Sequence, residues 1–253
     1  MPFFDDRGIR VYYEDHGDPN AAPLLLLHGN TASSALFAPV LPLFAERYRV
    51  IALDFPGNGK SDRIPRWQSD LWFGWAACAA ELLRHLGTPR ANVIGCSGGA
   101  LAALNLALEV PELVNAVVAD SFEGLVADPA LTDRIAAGRA FAKQNEGFCA
   151  FLQQLHGEDW ESVLDADTDA VVRHAREVGA FCHKDIRALT VPLLLTGSAE
   201  DEMFPAGHYA QLFGEISGAA PLAEAHIFPH GGHPAMLSNA AEFLALSGAF
   251  FAR

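Results

Sequence analysis

The apolar residues of this chain fall into short unbroken runs and longer stretches of helical spacing, and the two kinds alternate. Pro23-Leu24-Leu25-Leu26-Leu27 is uniformly apolar, as a strand covered on both faces must be. Tyr48-Arg49-Val50-Ile51-Ala52-Leu53, Asn92-Val93-Ile94, Val114-Asn115-Ala116-Val117-Val118-Ala119 and Pro192-Leu193-Leu194-Leu195-Thr196 read as further strands, and 224–228 as the last. Ahead of them Ile9-Arg10-Val11-Tyr12-Tyr13-Glu14 alternates as an edge strand, with a hairpin partner in residues 2–5 across Asp6-Arg7-Gly8. Helices are predicted over 37–47, 72–86 (stopped by Gly87), 100–108, 207–215 and 236–251. The helix at 100–108 is apolar on nearly every face and must be buried.

The alternation breaks once. From 122 to 189 there is only helical spacing, at Leu131, Ile135, Gly138 and Phe141, at Phe148, Phe151, Leu152 and Leu155, and at Val171, Ala175, Val178 and Cys182. An all-helical insertion of this length between two strands reads as a lid. The expected organisation is a core of residues 1–121 and 190–253 with a lid of residues 122–189. Alternating β and α elements imply an α/β fold with a mostly parallel, doubly wound sheet, whose ligands gather beyond the carboxyl ends of the strands.

Charge narrows the partners. Thirty-one acidic against 17 basic residues give a formal charge of -14, and no basic cluster offsets it. Nucleic acid and anionic membranes are therefore excluded as expected partners. The opening Met1-Pro2-Phe3-Phe4-Asp5-Asp6 lacks the basic-then-apolar order of a signal peptide, and no apolar run approaches a membrane span, so a soluble, cytoplasmic protein is expected. Cys78, Cys96, Cys149 and Cys182 form no Cys-x-x-Cys pair, which points to free thiols rather than a metal or disulfide framework.

Chemistry concentrates where the run Asn92-Val93-Ile94 enters Gly95-Cys96-Ser97-Gly98-Gly99 and then the apolar helix. A strand-turn-helix of pattern Gly-x-Ser-x-Gly strains its central residue and holds that side chain clear of both elements. Ser97 is that residue, and the helix amino end aims free N–H groups and a positive dipole end at it. Shifting the nucleophile to Cys96 would put Ile94 where a glycine is required. The bland alternative is an ordinary glycine-rich turn. A serine nucleophile needs a base and the base an orienting acid. Gly197-Ser198-Ala199-Glu200-Asp201-Glu202-Met203-Phe204-Pro205 follows the penultimate strand, and Pro229-His230-Gly231-Gly232-His233-Pro234 follows the last. The order serine, acid, histidine suits such a sheet, with Asp120 as an outlying acid.

With His28-Gly29, Asp54-x-x-Gly57-x-Gly59-x-Ser61-Asp62, Gly95-x-Ser97-x-Gly99 and Gly232-His233 together, the chain resembles the α/β-hydrolase superfamily over nearly its whole length outside the lid. The resemblance implies an eight-stranded sheet, Ser97 as nucleophile, His233 as base, and the backbone N–H groups of Asn30 and Gly98 as oxyanion hole. For the acid, the family pattern counted back from Pro205 selects Asp201, and counted forward from Gly197 selects Glu200; the proline, which starts the next helix, favours Asp201. His28 supports its loop and His230 is a turn residue. The remaining histidines show no paired ligand spacing, so neither metal nor cofactor is expected.

The lid and Leu152-Gln153-Gln154-Leu155-His156-Gly157-Glu158-Asp159-Trp160 look loosely similar to biphenyl-hydrolase-like serine hydrolases, some of which act on amino-acid esters. Those carry an acid directly after the nucleophile, where this chain has Gly98, and Glu123 is the one candidate replacement. Phe141, Phe148, Phe151 and Trp160 of the lid, with Phe37, Phe122 and Phe204, are expected to line an apolar pocket. A small, mainly apolar ester is the expected substrate. Carbon–carbon bond hydrolysis of vinylogous dienoic acids needs a cation for the substrate carboxylate, and no Arg adjoins the elbow or His233 in sequence. A non-catalytic receptor on the same fold is the other alternative; dehalogenase and epoxide-hydrolase chemistry, which require Asp at the elbow, are excluded by Ser97.

Overall fold

The structure, a computed structural model, describes residues 3–253. Its strands are β1 (Phe3–Asp6), β2 (Ile9–His16), β3 (Pro23–Leu27), β4 (Arg49–Leu53), β5 (Ala91–Cys96), β6 (Val114–Asp120), β7 (Leu193–Ser198) and β8 (Ala223–Phe228). Its helices are α1 (Leu41–Ala45), α2 (Leu71–His85), α3 (Gly98–Glu109), α4 (Pro129–Ala142), α5 (Glu146–His156), α6 (Trp160–Glu177), α7 (His208–Ala219), α8 (Ala235–Ser238) and α9 (Ala240–Phe251). One eight-stranded sheet runs β1-β2-β4-β3-β5-β6-β7-β8. Its β1–β2 and β2–β4 pairs are antiparallel and the rest parallel, so the hairpin forms one edge. Pro2, which the sequence pattern joins to the first strand, lies outside the described residues.

The central strands bury both faces, which is why they are uniformly apolar. Leu25, Leu27, Ile51, Leu53 and Val93 face α2, α3 and α7. Leu24, Leu26, Val50, Ala52 and Ile94 face α1 and α9. Helix α3 lies against β3 and β5 with little space for side chains: a Cβ on Gly99 would sit 2.1 Å from the Leu27 carbonyl oxygen, and one on Gly95 2.1 Å from that of Gly99.

Two helices differ from their sequence pattern. The stretch at 37–47 holds the end of a 3-10 turn (Ser34–Phe37) and is α-helical only over Leu41–Ala45, because Pro39 and Pro42 lack N–H donors and a helix tolerates proline only in its first turn. The closing helix breaks at Asn239, whose side-chain amide is drawn out to Ser198 Oγ and the His230 carbonyl, both at 3.0 Å.

Helices α4 to α6 occupy the connection between β6 and β7. Phe181, just beyond α6, bonds back to the core through its carbonyl, which accepts from the buried Asn105 Nδ2 at 2.7 Å. Arg63 grips Asp159 through two hydrogen bonds and donates to the His156 carbonyl at 2.7 Å. His174 Nδ1 donates to the Ser69 carbonyl at 2.8 Å, and Arg173 to that of Trp67 at 2.7 Å.

At the end of β3, His28 is completely buried. Its Nε2 accepts the Phe55 N–H at 3.1 Å, which leaves Nδ1–H to donate to the Gly29 carbonyl at 2.8 Å. Burial, offset only in part by the Asp54 carboxylate, lowers this imidazole to about 4.

The close approach of α3 makes Gly99→Ala an overpacking change that should cost about 1–3 kcal/mol or more. Gly214, in α7 with open space around it, is the contrast, and Gly214→Ala should raise stability by about 0.5–1 kcal/mol; urea unfolding midpoints test both. An unfolded histidine takes up its proton near pH 6.5, whereas folded His28 resists doing so until about 4. The unfolded chain therefore binds more protons in that window, and stability should fall as pH drops from about 6.5 toward 4. His28→Gln should flatten the slope of melting temperature against pH there, whatever it does to the melting temperature itself.

Candidate active site

Strand β5 delivers Ser97 into the turn before α3 with φ 55° and ψ -125°, a conformation that non-glycine residues seldom adopt. The Ser97 N–H is fastened to the Asp120 carbonyl at 2.8 Å. Gly29 leaves room for it, since a Cβ there would lie 2.8 Å from the Ser97 Cβ. Ser97 opens with His233 onto one cavity of about 490 Å³ at the carboxyl ends of the strands.

Asp201 is brought to His233: the Nδ1–H donates to Asp201 Oδ2 at 2.9 Å, which leaves Nε2 as the nitrogen free to act as a base. The same Oδ2 accepts the Tyr209 hydroxyl at 2.6 Å, and Oδ1 accepts the Met203 N–H at 2.9 Å. Burial works to raise the Asp201 carboxyl, but His233, Tyr209 and the Met203 N–H together hold it below the ordinary carboxylate value. Tyr209 is pushed up by burial and by Asp201, so it stays a donor. Glu200, the other reading of the acid, is exposed. Glu202 accepts the His233 backbone N–H at 3.2 Å, an arrangement that needs Gly232 because a Cβ there would lie 2.7 Å from Glu202 Oε2. Asp120 is buried and spends its carboxylate on Thr196 Oγ1, Ser121 Oγ and the Met236 N–H rather than on the imidazole, and burial pushes its carboxyl up to about 6. The Cys96 thiol is buried and shifted upward by that burial, so it is no competing nucleophile.

On the other side of Ser97, the N–H groups of Asn30 and Gly98 meet no protein acceptor among the described residues. Asn30 and Gly98 both line the cavity. Thr31, next in the loop, has φ 56°, strained for a β-branched residue.

The expected pocket needs correction. Phe204 and Glu123 do line the cavity, as does Phe148. Phe37 does not: it is fully buried on the other face of the sheet, with Leu24 and Leu26. Phe122 packs beneath the site on Phe213, their rings 6.2 Å apart, and Phe141 is 73% exposed on the outer face of α4. The inner face of α4 instead presents Leu131, Arg134, Ile135, Gly138, Arg139 and Ala142, and Trp72 of α2 closes the floor. Burial raises the Glu123 carboxyl, and its Oε1 accepts the Asp128 N–H at 2.9 Å.

Asp167 is the residue sequence reasoning missed. Helix α6 buries Trp160, Val163, Leu164, Asp167, Ala170, Val171 and His174, a different stripe from the one read off Val171, Ala175, Val178 and Cys182. A carboxylate on the 3–4 spacing of an apolar face was the available signal.

The family model of the alpha/beta hydrolase fold matches residues 22–169. The chain is 35% identical to the uncharacterized hydrolase YugF of Bacillus subtilis over 111 residues, 44% of this chain and 40% of the relative, so that match spans under half of either protein. It is 28% identical to the putative carbamate hydrolase RutD of Stutzerimonas stutzeri over 92% of this chain and 93% of the relative. Among solved structures, MGS-M2, an alpha/beta hydrolase enzyme from a deep-sea metagenome library of the Medee basin, superimposes with a TM-score of 0.75 at 24% identity, covering 99% of this chain and 97% of its own. No helix among the described residues is long and apolar enough to cross a membrane. Sheet order, elbow, and the match over residues 22–169 converge: this chain belongs to the alpha/beta hydrolase fold family and is a hydrolase.

Proposed function

We propose that the protein is a serine hydrolase that cleaves a carboxylic ester, or a related acyl bond, of a small molecule. The observation that carries this reading is the hydrogen bond of 2.9 Å between Asp201 and His233 Nδ1, which turns the basic Nε2 of an imidazole into the cavity that holds the strained Ser97. In the proposed reaction Ser97 Oγ attacks the carbonyl carbon while His233 takes its proton. The Asn30 and Gly98 N–H groups receive the negative oxygen, each such donor contributing about 3–4 kcal/mol to the tetrahedral state. His233 then protonates the departing alcohol, and the acyl-enzyme is released by a water that the same imidazole deprotonates. Asp201 stays ionised throughout and holds the imidazole in its productive tautomer. A carbamate, the bond for which the relative RutD is named, fits the same acyl chemistry. The lining by Trp72, Leu101, Leu131, Ile135, Phe148 and Val171 supports an apolar acyl or alcohol group, and α4 to α6 acting as a lid over it.

A second reading, carbon–carbon bond hydrolysis of a vinylogous dienoic acid, gains from the fold what the sequence denied it. Arg134 and Arg139, far from the elbow in sequence, both line the cavity, and Arg134 carries no ion pair among the described residues.

Ser97→Ala should reduce turnover of 4-nitrophenyl butyrate on the order of a millionfold. Asp201→Asn should cost on the order of 10⁴-fold, with Glu200→Gln close to wild type. Retained turnover in Ser97→Ala would remove the serine mechanism, and labelling of Ser97 by a fluorophosphonate without any turnover would leave a receptor. Between the two substrate readings, 4-nitrophenyl octanoate should be preferred to the acetate. A preference for 4-nitrophenyl hydrogen glutarate over the uncharged pentanoate, lost in Arg134→Gln, would favour the carboxylate-bearing substrate instead.

A further inference from the structure

The insertion reaches the catalytic loop at one charged atom. Asp167 of α6 is completely buried. Its Oδ2 accepts the Asn30 side-chain amide at 2.8 Å and the Thr31 N–H at 3.3 Å, while Oδ1 accepts Arg139 Nη1 at 2.7 Å. The other end of the Asn30 amide, Oδ1, accepts Trp72 Nε1 at 3.1 Å. Both ends of that side chain are therefore fixed.

Asn30 also lies directly on the elbow. A Cβ at position 98 would stand 2.1 Å from Asn30 Oδ1 and 2.6 Å from Trp72 Nε1. Gly98 therefore does more than lack a charge: its bare Cα lets the Asn30 amide and the Trp72 indole pack directly on the first residue of α3. The strained peptide that follows is held from the insertion at both ends, by Asp167 at the Thr31 N–H and by His156 Nε2, which donates to the Thr31 carbonyl at 3.1 Å. The direction of that second bond is set by His156 Nδ1, which accepts the Gly59 N–H at 3.0 Å and so leaves the ring proton on Nε2. A β-branched residue keeps a left-handed conformation only where its surroundings impose it.

We infer that Asp167 is a positioning residue for the oxyanion hole: acting through the Asn30 side chain and the Thr31 N–H, it sets the spacing of the Asn30 and Gly98 donors and ties it to α4 through Arg139. The inference rests on the serine-hydrolase reading above. Asp167 touches no substrate in this scheme. Neutralising it leaves the cavity walls in place but frees the Asn30 amide to turn, and the donors then meet the developing oxyanion at the wrong distance. Such a defect weighs on the tetrahedral state and not on the bound ester, so it appears in kcat and spares KM.

The test uses the full chain with 4-nitrophenyl butyrate as substrate and a trifluoromethyl ketone as inhibitor; Ser97 Oγ adds to the keto carbon, its proton passes to His233, and the resulting hemiketal places the former carbonyl oxygen, now anionic, in the hole. Asp167→Asn should lower kcat and kcat/KM together by about 10- to 100-fold, change KM by less than about twofold, and raise the ketone inhibition constant in proportion to the loss in kcat. Asn30→Ala should show the same pattern, and Asp167→Asn added to it should change little further, because the lever it pulls is gone. A rise in KM at constant kcat, an unmoved inhibition constant, or losses that multiply in the double variant would each overturn the proposal. Should Asp167→Asn fail to fold, the inhibition constant of Asn30→Ala decides alone, an unmoved value refuting it. Failure of the serine-hydrolase reading looks different, since Ser97→Ala would then retain turnover.

Discussion

Everything at the cavity end of this molecule depends on how closely one helix is allowed to approach one sheet. Gly95 and Gly99 remove the two Cβ atoms that would hold α3 away from β3 and β5, and backbone then meets backbone across about the width of an atom. The turn between strand and helix has no slack, so its middle residue takes the strained φ of 55° and its side chain is forced outward. Ser97 is exposed because the chain around it is compressed. The same compression puts the first N–H of α3 next to Ser97, where a helix amino end favours negative charge.

The pair formed by Asp201 and His233 is built on a different principle. Asp201 and His233 sit in loops after β7 and β8, and loops must be held by hydrogen bonds because no packing of regular elements holds them. Tyr209 and the Met203 N–H fix the carboxylate, Glu202 fixes the His233 backbone, and Asn239 ties the loop before His233 to Ser198. Each half of the site thus uses the means its backbone allows, steric compression at the elbow and polar saturation at the loops.

Much of this was legible in the sequence, for reasons that follow from the same physics. Elbow glycines stand at fixed offsets because sterics are local, and uniformly apolar strands announce burial on both faces, so the fold and the strained turn at Ser97 could be read directly. The choice of Asp201 over Glu200 could be argued only from the proline register, since both follow Gly197 within four positions. The pocket was read worst. Phe37 and Phe122 are aromatics near the expected mouth and Phe141 an aromatic of the expected lid, yet the first lies under the sheet, the second packs below the cavity and the third faces solvent. Arg134, Arg139 and Asp167 were invisible for the opposite reason: Asp167 meets Asn30 across 137 residues of sequence, and acids at Asp165 and Asp169 on either side disguise it as part of a solvated face.

The helix α4 has a consequence of a different order. Among the described residues, its side chains reach outside the helix only to neighbouring segments of the insertion: Arg139 to Asp167 and Thr168, and Asp133 to Arg176. Residues 131, 135, 138 and 142 line the cavity and, among the described residues, make no side-chain hydrogen bond to the loops that carry Ser97, Asp201 and His233. At those four positions, unlike at Arg139 with its bond to the buried carboxylate, the wall is separable in evolutionary terms from the groups around Ser97. Substitutions along those four positions can reshape the cavity while the elbow, the loops and the buried carboxylate keep their geometry, so substrate range can drift faster than mechanism.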